Sequence, residues 1–407
     1  MKKFGLLGEN LGHSYSPSIH AMLGEYSYEL FEVAPDGLHD FMTNNDLNGF
    51  NVTIPYKQKV MPYCGELSER AKSIGSVNTV LKRSDGSYFG ENTDYDGFLL
   101  LMEAVKERIR GKKALVLGSG GASKTVEFVL RELGAEPSLT VSRRGILSYN
   151  DLVDHSDAAF IINTTPVGMY PNNGRLPLDL NNFPKCLFVA DLIYNPLKTA
   201  LMLQAERLGI PYQGGLLMLT EQARRASELF TGSSIAPKAS YIIAEEIQKK
   251  TKNIILIGMP GCGKTSIGRY LHDLTKRKLV DLDEEIERKE GRSIPEILAD
   301  FGEDFFRKIE SSILSEVCKE SGLIVTTGGG VVTRAENKDI IRQNSIVVFI
   351  KRELNQLASE GRPLTQAKGV GQIYRERADL YSSWSDISVE NVGFSETTEK
   401  IMEVLKL

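Results

Sequence analysis

Gly258-x-x-x-x-Gly263-Lys264-Thr265 has the residue types and spacing of a phosphate-binding turn. It follows an apolar strand, Asn253–Ile257, and precedes a helix expected from Ser266. In that setting backbone N–H groups and the helix N-terminus cradle phosphates, Lys264 reaches the β- and γ-phosphates of a nucleotide, and the Thr265 hydroxyl ligates Mg²⁺. The expected contacts are Gly258, Gly261, Cys262, Gly263, Lys264, Thr265 and Ser266. A strand over Lys278–Asp281 then ends in Asp281-Leu282-Asp283, which puts two carboxylates where an open α/β sheet holds its ligands. The plainer reading of Asp283-Glu284-Glu285 is an acidic first turn that suits a helix dipole.

A second glycine turn, Gly118-x-Gly120-x-x-Ser123, follows the strand Ala114–Leu117. It reads as a dinucleotide site formed by Gly118, Ser119, Gly120, Gly121 and Ala122, with Ser123 in place of the usual third Gly or Ala. NAD sites carry an acid at the end of the next strand to take the ribose 2′-hydroxyl. Here that strand, Thr140–Ser142, ends in Ser142-Arg143-Arg144, and guanidinium groups suit a 2′-phosphate, so NADPH is expected.

Upstream of this turn, Ser14-Tyr15-Ser16-Pro17, Asn51–Lys57, Val77-Asn78-Thr79 and Asn92-Thr93-Asp94 gather hydroxyls, amides, one lysine and one aspartate. That inventory suits a polyhydroxylated carboxylate. An isolated Lys57–Asp94 pair would most simply be a surface ion pair.

The elements that must hold these groups alternate between short apolar strands and helical stretches. The strands are Ala114–Leu117, Thr140–Ser142, Phe160–Asn163, Leu187–Asp191, Ile254–Ile257, Ile324–Thr326 and Ile346–Ile350. Such alternation specifies an α/β class with largely parallel sheets. A polar helix over about 236–250 closes the front part, and the main boundary falls near Lys250–Lys252. The expected domains are 1–111 for the first substrate, rejoined by about 220–250; 112–235 with a Rossmann-like dinucleotide fold; and 252–407 with a P-loop and a parallel sheet.

With 407 residues, 41% of them hydrophobic, the chain has enough apolar material for two or three cored domains. The net charge of −4 argues against nucleic acid or an anionic membrane as partner. No stretch reaches the roughly 20 apolar residues of a membrane span. Four scattered cysteines without a CxxC pair fit reduced thiols in a cytoplasmic protein, and five scattered histidines form no HxxH pair. Nothing in the sequence signals an oligomeric state.

Taken together, the motifs carry two family resemblances. From about residue 3 to 247 the chain resembles shikimate dehydrogenases, through the motifs above together with Asn163-x-Thr165-x-x-Gly168-Met169, Tyr194, Gly215 and Gln222. From about 253 to 407 it resembles shikimate kinases, through Asp281-x-Asp283, Phe306-Arg307-x-Ile309-Glu310, Gly328-Gly329-Gly330, Arg362-Pro363-Leu364 and Arg377-Ala378-x-Leu380-Tyr381. The first resemblance implies Ser14 and Ser16 on the substrate carboxylate, and Thr53, Asn78, Asp94, Tyr194 and Gln222 around the ring hydroxyls. It also implies Lys57 and Asp94 as the catalytic pair, and Gly215 beside the cofactor. The second implies Asp281 holding Mg²⁺ through water, Asp283 orienting or deprotonating the attacking hydroxyl, and Arg307 and Arg377 gripping the carboxylate. Gly328–Gly330 would admit the ring, and Arg362 would neutralise the transferring phosphoryl group.

Together these imply a bifunctional enzyme that reduces 3-dehydroshikimate with NADPH and then phosphorylates shikimate to shikimate 3-phosphate with ATP and Mg²⁺. Alternatives are an active kinase with a non-catalytic front module, or a front half preferring quinate. Two departures stand out. The chain passes from Arg144 through Gly145–Asp157 straight to the next strand, without a third basic residue for the 2′-phosphate, and only Thr365–Ile373 separates Arg362-Pro363-Leu364 from the helix of Arg377.

Overall fold

The computed structural model describes all residues except His13, Arg144, Ile146, 358–368 and Leu407. The expectations for Arg144 and Arg362 therefore lie outside the described residues. The chain divides into two compact units, Met1–Ile247 and Gln248–Leu407.

Six strands build the first sheet of the front unit: β1 (Lys3–Gly8), β2 (Ser27–Glu32), β3 (Gly49–Val52), β4 (Glu66–Leu67), β5 (Thr79–Lys82) and β6 (Tyr88–Glu91), in the order β2-β1-β3-β5-β6-β4. Its register concentrates chemistry on one edge. β1 and β3 run parallel, pairing Leu7 with Val52. β5 runs antiparallel to both neighbours, so Thr79 at its start faces Asn51 near the end of β3 and Glu91 at the end of β6. Residues after β3, before β5 and after β6 consequently emerge together, which explains why Thr53, Asn78 and Asp94 can share a site although they span more than one hairpin.

A second sheet in the same unit is wholly parallel: β7 (Ala114–Leu117), β8 (Ser138–Val141), β9 (Phe160–Asn163), β10 (Phe188–Asp191) and β11 (Tyr212–Gly214), ordered β11-β10-β9-β7-β8. Strand β7, fully buried, packs helices on both faces, as its unbroken Ala-Leu-Val-Leu run requires. The chain reverses direction across the sheet between β7 and β9, so the crevice at their carboxyl ends, under Gly118 and Thr164, is where such folds take ligands. Strand β8 starts two residues before the expected Thr140 and stops at Val141, because its pairing with β7 runs from Ser138 opposite Ala114 to Val141 opposite Leu117.

The third sheet forms the second unit: β12 (Asn253–Ile257), β13 (Leu279–Asp281), β14 (Ile324–Thr326), β15 (Ser345–Lys351) and β16 (Ile387–Glu390), ordered β13-β14-β12-β15-β16 and parallel throughout. Central β12 is completely buried. Lys252 alone separates it from the preceding helix, Lys238–Thr251. Among the described residues no helix is long and apolar enough to cross a membrane.

Candidate active sites

In the front unit Lys57 Nζ donates to Asp94 Oδ2 at 2.6 Å, and the two side chains are 15% and 7% exposed. Asp94 opens the helix Asp94–Met102, one residue past a turn that Asn78 organises. Asn78 Oδ1 accepts from the Thr93 backbone N–H at 2.7 Å and from its hydroxyl at 3.2 Å, and Asn78 Nδ2 donates to Gln222 Oε1 at 3.2 Å. Thr53 follows β3, with its N–H bonded to Leu7 O at 2.9 Å. Ser16 N–H donates to Ser14 Oγ at 3.2 Å, which draws the two serines into one turn. Tyr194 packs against Tyr15 with ring centroids 5.3 Å apart, and burial pushes its phenol up to about 12, so it stays protonated near neutrality. Gly215 N–H bonds Ile193 O at 3.0 Å, beside Tyr194.

The dinucleotide turn reaches this cluster. A Cβ built on Gly121 would fall 3.2 Å from Lys57 Cβ and 3.3 Å from its Cδ, so the helix Gly121–Glu132 begins against the stem of Lys57. Its N-cap, Gly120, provides no side-chain acceptor, and Ser119 and Gly120 are exposed. The first-turn N–H groups are thus free to bind an anion, and the turn fits a dinucleotide pyrophosphate. Ser123, the residue in the third small position, is buried and donates its hydroxyl to Gly120 O at 2.7 Å, which closes the turn from within. Ser142 is buried, with its N–H on Leu147 O at 3.0 Å, whereas Arg143 is exposed beside Tyr149.

Spacing alone does not single out two residues that support this site. Asp191, fully buried at the end of β10, accepts from Thr199 Oγ1 at 2.7 Å, Asn163 Nδ2 at 3.0 Å and the Ile193 N–H at 3.1 Å, and burial pushes its carboxyl up to about 6. It fixes the turn that presents Tyr194. Glu221 grips Arg224 through both oxygens, at 2.8 and 2.7 Å, next to Gln222 in the helix Leu216–Thr231.

In the second unit the phosphate turn adopts φ of 146° at Gly258, 83° at Gly261 and 99° at Gly263, which only glycine takes without strain. Left-handed Gly263 is itself the N-cap, so the helix Lys264–Thr275 begins two residues before the expected Ser266. No side chain caps it, which leaves its first N–H groups to a polyphosphate. Lys264 is buried and donates to the carbonyls of Gly258 at 2.9 Å and Met259 at 3.0 Å. Gly261, Gly263, Lys264, Thr265 and Ser266 line a cavity of about 620 Å³. Gly258 and Cys262 lie behind it: Cys262 is fully buried, with its carbonyl held by Asn391 Nδ2 at 2.7 Å. Asn391 follows β16 and has no sequence signal.

Asp281, Asp283, Arg307, Gly328, Gly329, Gly330 and Arg377 line the same cavity. Register pairs Asp281 with Thr326, and Asp281 Oδ2 accepts from the hydroxyls of Thr326 at 2.7 Å and Thr265 at 2.9 Å. Oδ1 caps the next helix through the Asp283 N–H at 3.1 Å, and Asp283, Glu284 and Glu285 stand in its first turn, as the plainer reading of that acidic run expects, while Asp283 also lines the cavity. Burial, and then the charge of Asp281, pushes the Asp283 carboxyl up to about 6 against the pull of Lys264 and Arg307. Arg307 Nη1 donates to Glu310 Oε2 at 2.8 Å, and burial lifts the Glu310 carboxyl to about 7 despite that partner. Arg377 Nη1 donates to Gly329 O at 3.0 Å. The Nε atoms of Arg307 and Arg377 are buried without a hydrogen-bond partner among the described residues, a donor arrangement that would suit an anion.

No group of three or more His, Cys, Asp or Glu among the described residues could cage a metal. The Thr265 hydroxyl beside Asp281 is a hard-oxygen pair that suits Mg²⁺, which keeps waters and leans on substrate phosphates.

Comparison with known proteins follows this division. A family model described as shikimate kinase matches residues 260–406, and one described as shikimate dehydrogenase substrate binding domain matches residues 6–80. The shikimate dehydrogenase (NADP(+)) of Clostridium perfringens is 36% identical over 269 residues, 61% of this chain and 99% of that protein. Among solved structures, a chorismate mutase/shikimate 5-dehydrogenase fusion protein from Clostridium acetobutylicum aligns with a TM-score of 0.57 at 36% identity, covering 61% of this chain and 98% of its own. Shikimate 5-dehydrogenase from Thermus thermophilus, in complex with NADP(H) and shikimate, aligns with a TM-score of 0.55 at 33% identity, covering 60% and 99%.

Proposed function

We infer, from a chain that belongs to the shikimate dehydrogenase family and carries a shikimate kinase domain behind that part, that one polypeptide performs two successive steps. It reduces 3-dehydroshikimate to shikimate with NADPH and phosphorylates shikimate to shikimate 3-phosphate with ATP. The observation that carries this reading is the presence of two separate clusters, one around Lys57–Asp94 under a dinucleotide turn and one around Asp283 under a P-loop. A non-catalytic front module would have no need of a buried Lys–Asp pair against its dinucleotide turn.

When bound, NADPH supplies the hydride, and ATP with Mg²⁺ supplies the phosphoryl group. In the reductase site Ser14 and Ser16 hold the carboxylate, while Asn78, Gln222, Thr53 and Tyr194 read the hydroxyls. Asp94 keeps the Lys57 ammonium aimed at the carbonyl oxygen, where it stabilises the developing alkoxide and gives up its proton. Arg143, with Arg144, selects the 2′-phosphate. In the kinase site Arg307 and Arg377 take the carboxylate and Gly328–Gly330 leave room for the ring. Asp283 accepts the proton of the attacking hydroxyl; Lys264 and Arg362 balance phosphate charge, and Thr265 and Asp281 hold Mg²⁺ and its waters. We place both reactions in the cytoplasm, where the four thiols stay reduced.

The test is a coupled assay with the full chain, supplying dehydroshikimate, NADPH, ATP and Mg²⁺. Consumption of one NADPH per shikimate 3-phosphate formed is the expected result. Accumulation of the unreduced ketone would favour the non-catalytic front module, and preferential turnover of quinate would favour the third reading.

A further inference from the structure

The Gly329 carbonyl, in the turn after β14, accepts two hydrogen bonds from one helix, Val370–Trp384. Arg377 Nη1 donates at 3.0 Å, and the Tyr381 hydroxyl, one turn later, donates as well. Both side chains are buried, and the Tyr381 ring stacks on Phe349 of β15 with centroids 5.2 Å apart. Burial raises the Tyr381 phenol above its ordinary value, which keeps it a donor. The other side of Gly329 leans on the nucleotide loop: a Cβ built there would fall 2.6 Å from Cδ and Cγ of Pro260. Gly329 is therefore clamped between the phosphate loop and the helix that carries Arg377.

The loop has a reason to shift. Lys264 donates to the carbonyls of Gly258 and Met259, and the second of these belongs to the peptide that joins Met259 to Pro260. A polyphosphate that draws Lys264 away frees that peptide, and Pro260 is the surface against which Gly329 rests. In a close-packed interior such a displacement passes to its neighbours. With Nη1 committed to Gly329, the Nε edge of Arg377 is the one left for a carboxylate, so the position of the Gly329 carbonyl sets where that edge points.

We propose that Tyr381 is a positioning residue for the kinase reaction: through the Gly329 carbonyl it fixes the Arg377 guanidinium for the substrate carboxylate and couples that grip to nucleotide in the phosphate loop. The inference rests on the reading of Arg377 as a carboxylate ligand and adds the joint that orients it.

The experiment uses the full chain and Tyr381→Phe, which keeps the ring and removes the hydroxyl. Trp384, the single tryptophan, is buried on the same helix, and its fluorescence is the probe of shikimate binding to this unit. Shikimate dissociation constants are measured with and without saturating ADP and Mg²⁺. In the unaltered protein ADP tightens shikimate binding. In Tyr381→Phe the shikimate constant rises about 5- to 10-fold, the ratio with and without ADP moves toward unity, and affinity for ADP alone changes by less than about twofold. Gly329→Ala, which presses on Pro260 from the other side of the joint, should also shrink the ADP effect. An ADP effect of full size in Tyr381→Phe, or its absence from the unaltered protein, overturns the proposal, as does an equal loss of affinity for ADP alone. Arg377→Met keeps the underlying reading separate: unchanged shikimate affinity in that variant would remove Arg377 from the site, whatever Tyr381 does.

Discussion

Lys57 and Asp94 come from opposite sides of β5, one after β3 and one after β6, and meet at 2.6 Å with Gly121 of the dinucleotide turn against the lysine stem. With side chains 15% and 7% exposed, the pair is too dry to be a solvated ion pair. Lys57 held there lies against the start of the dinucleotide turn.

Lys57→Ala should lower kcat for dehydroshikimate reduction by about 10²- to 10⁴-fold and leave phosphorylation of supplied shikimate nearly unchanged. The reciprocal Lys264→Ala should abolish phosphorylation and spare NADPH oxidation. Absorbance of NADPH and release of ADP read the two activities separately. Loss of both in either folded variant would contradict the two-site reading.

Asp283 works as an acceptor only when deprotonated, and its carboxyl is pushed up to about 6, chiefly by burial. The kinase kcat/KM for shikimate should therefore fall as pH drops through about 6, whereas an exposed aspartate would hold the rate to about pH 4. A pH–rate profile at saturating ATP checks this. A rate that stays flat down to pH 5 would show that the Asp283 carboxyl is not raised in the working, Mg²⁺-loaded site.

Replacing Arg143 and Arg144 together by Ala should raise KM for NADPH about 10- to 100-fold, with little change for NADH, if these guanidinium groups serve only the 2′-phosphate as proposed. Equal effects on the two cofactors would remove the arginines from cofactor selection.

Arg224→Met would leave the Glu221 carboxylate, only 7% exposed, without its bidentate partner. The expected cost is about 3–5 kcal/mol, and the front unit should unfold on the order of 10 °C lower. Calorimetry would show this as an early transition. A front-unit transition at the unaltered temperature would show that Ser240, which donates to the same carboxylate at 2.5 Å, suffices alone.

The phosphate turns are legible in the sequence because backbone geometry dictates residue type: Gly118, Gly258 and Gly263 all take φ above 90°. Strands such as Ala114–Leu117 and Phe160–Asn163 are legible for a related reason, since only unbroken apolar runs survive burial on both faces. Contacts made across long stretches of chain are another matter. The bond from Asn78 to Gln222 spans 144 residues, and it depends on antiparallel pairings around β5 that no local pattern encodes. Likewise Asn391, which donates to the Cys262 carbonyl, and Asp191, which accepts from the Ile193 N–H in the Tyr194 turn, act on backbone groups, and backbone donors and acceptors leave no trace in composition.

The resting contacts of Lys264 have a consequence for what the kinase site ignores. Its ammonium is already shared between the carbonyls of Gly258 and Met259, so an incoming anion must replace two good acceptors rather than meet a bare charge. A lone inorganic phosphate reaches only part of the loop, whereas a polyphosphate adds contacts along the whole of it to its charge on Lys264. Such a loop is expected to favour a polyphosphate over the abundant small anions.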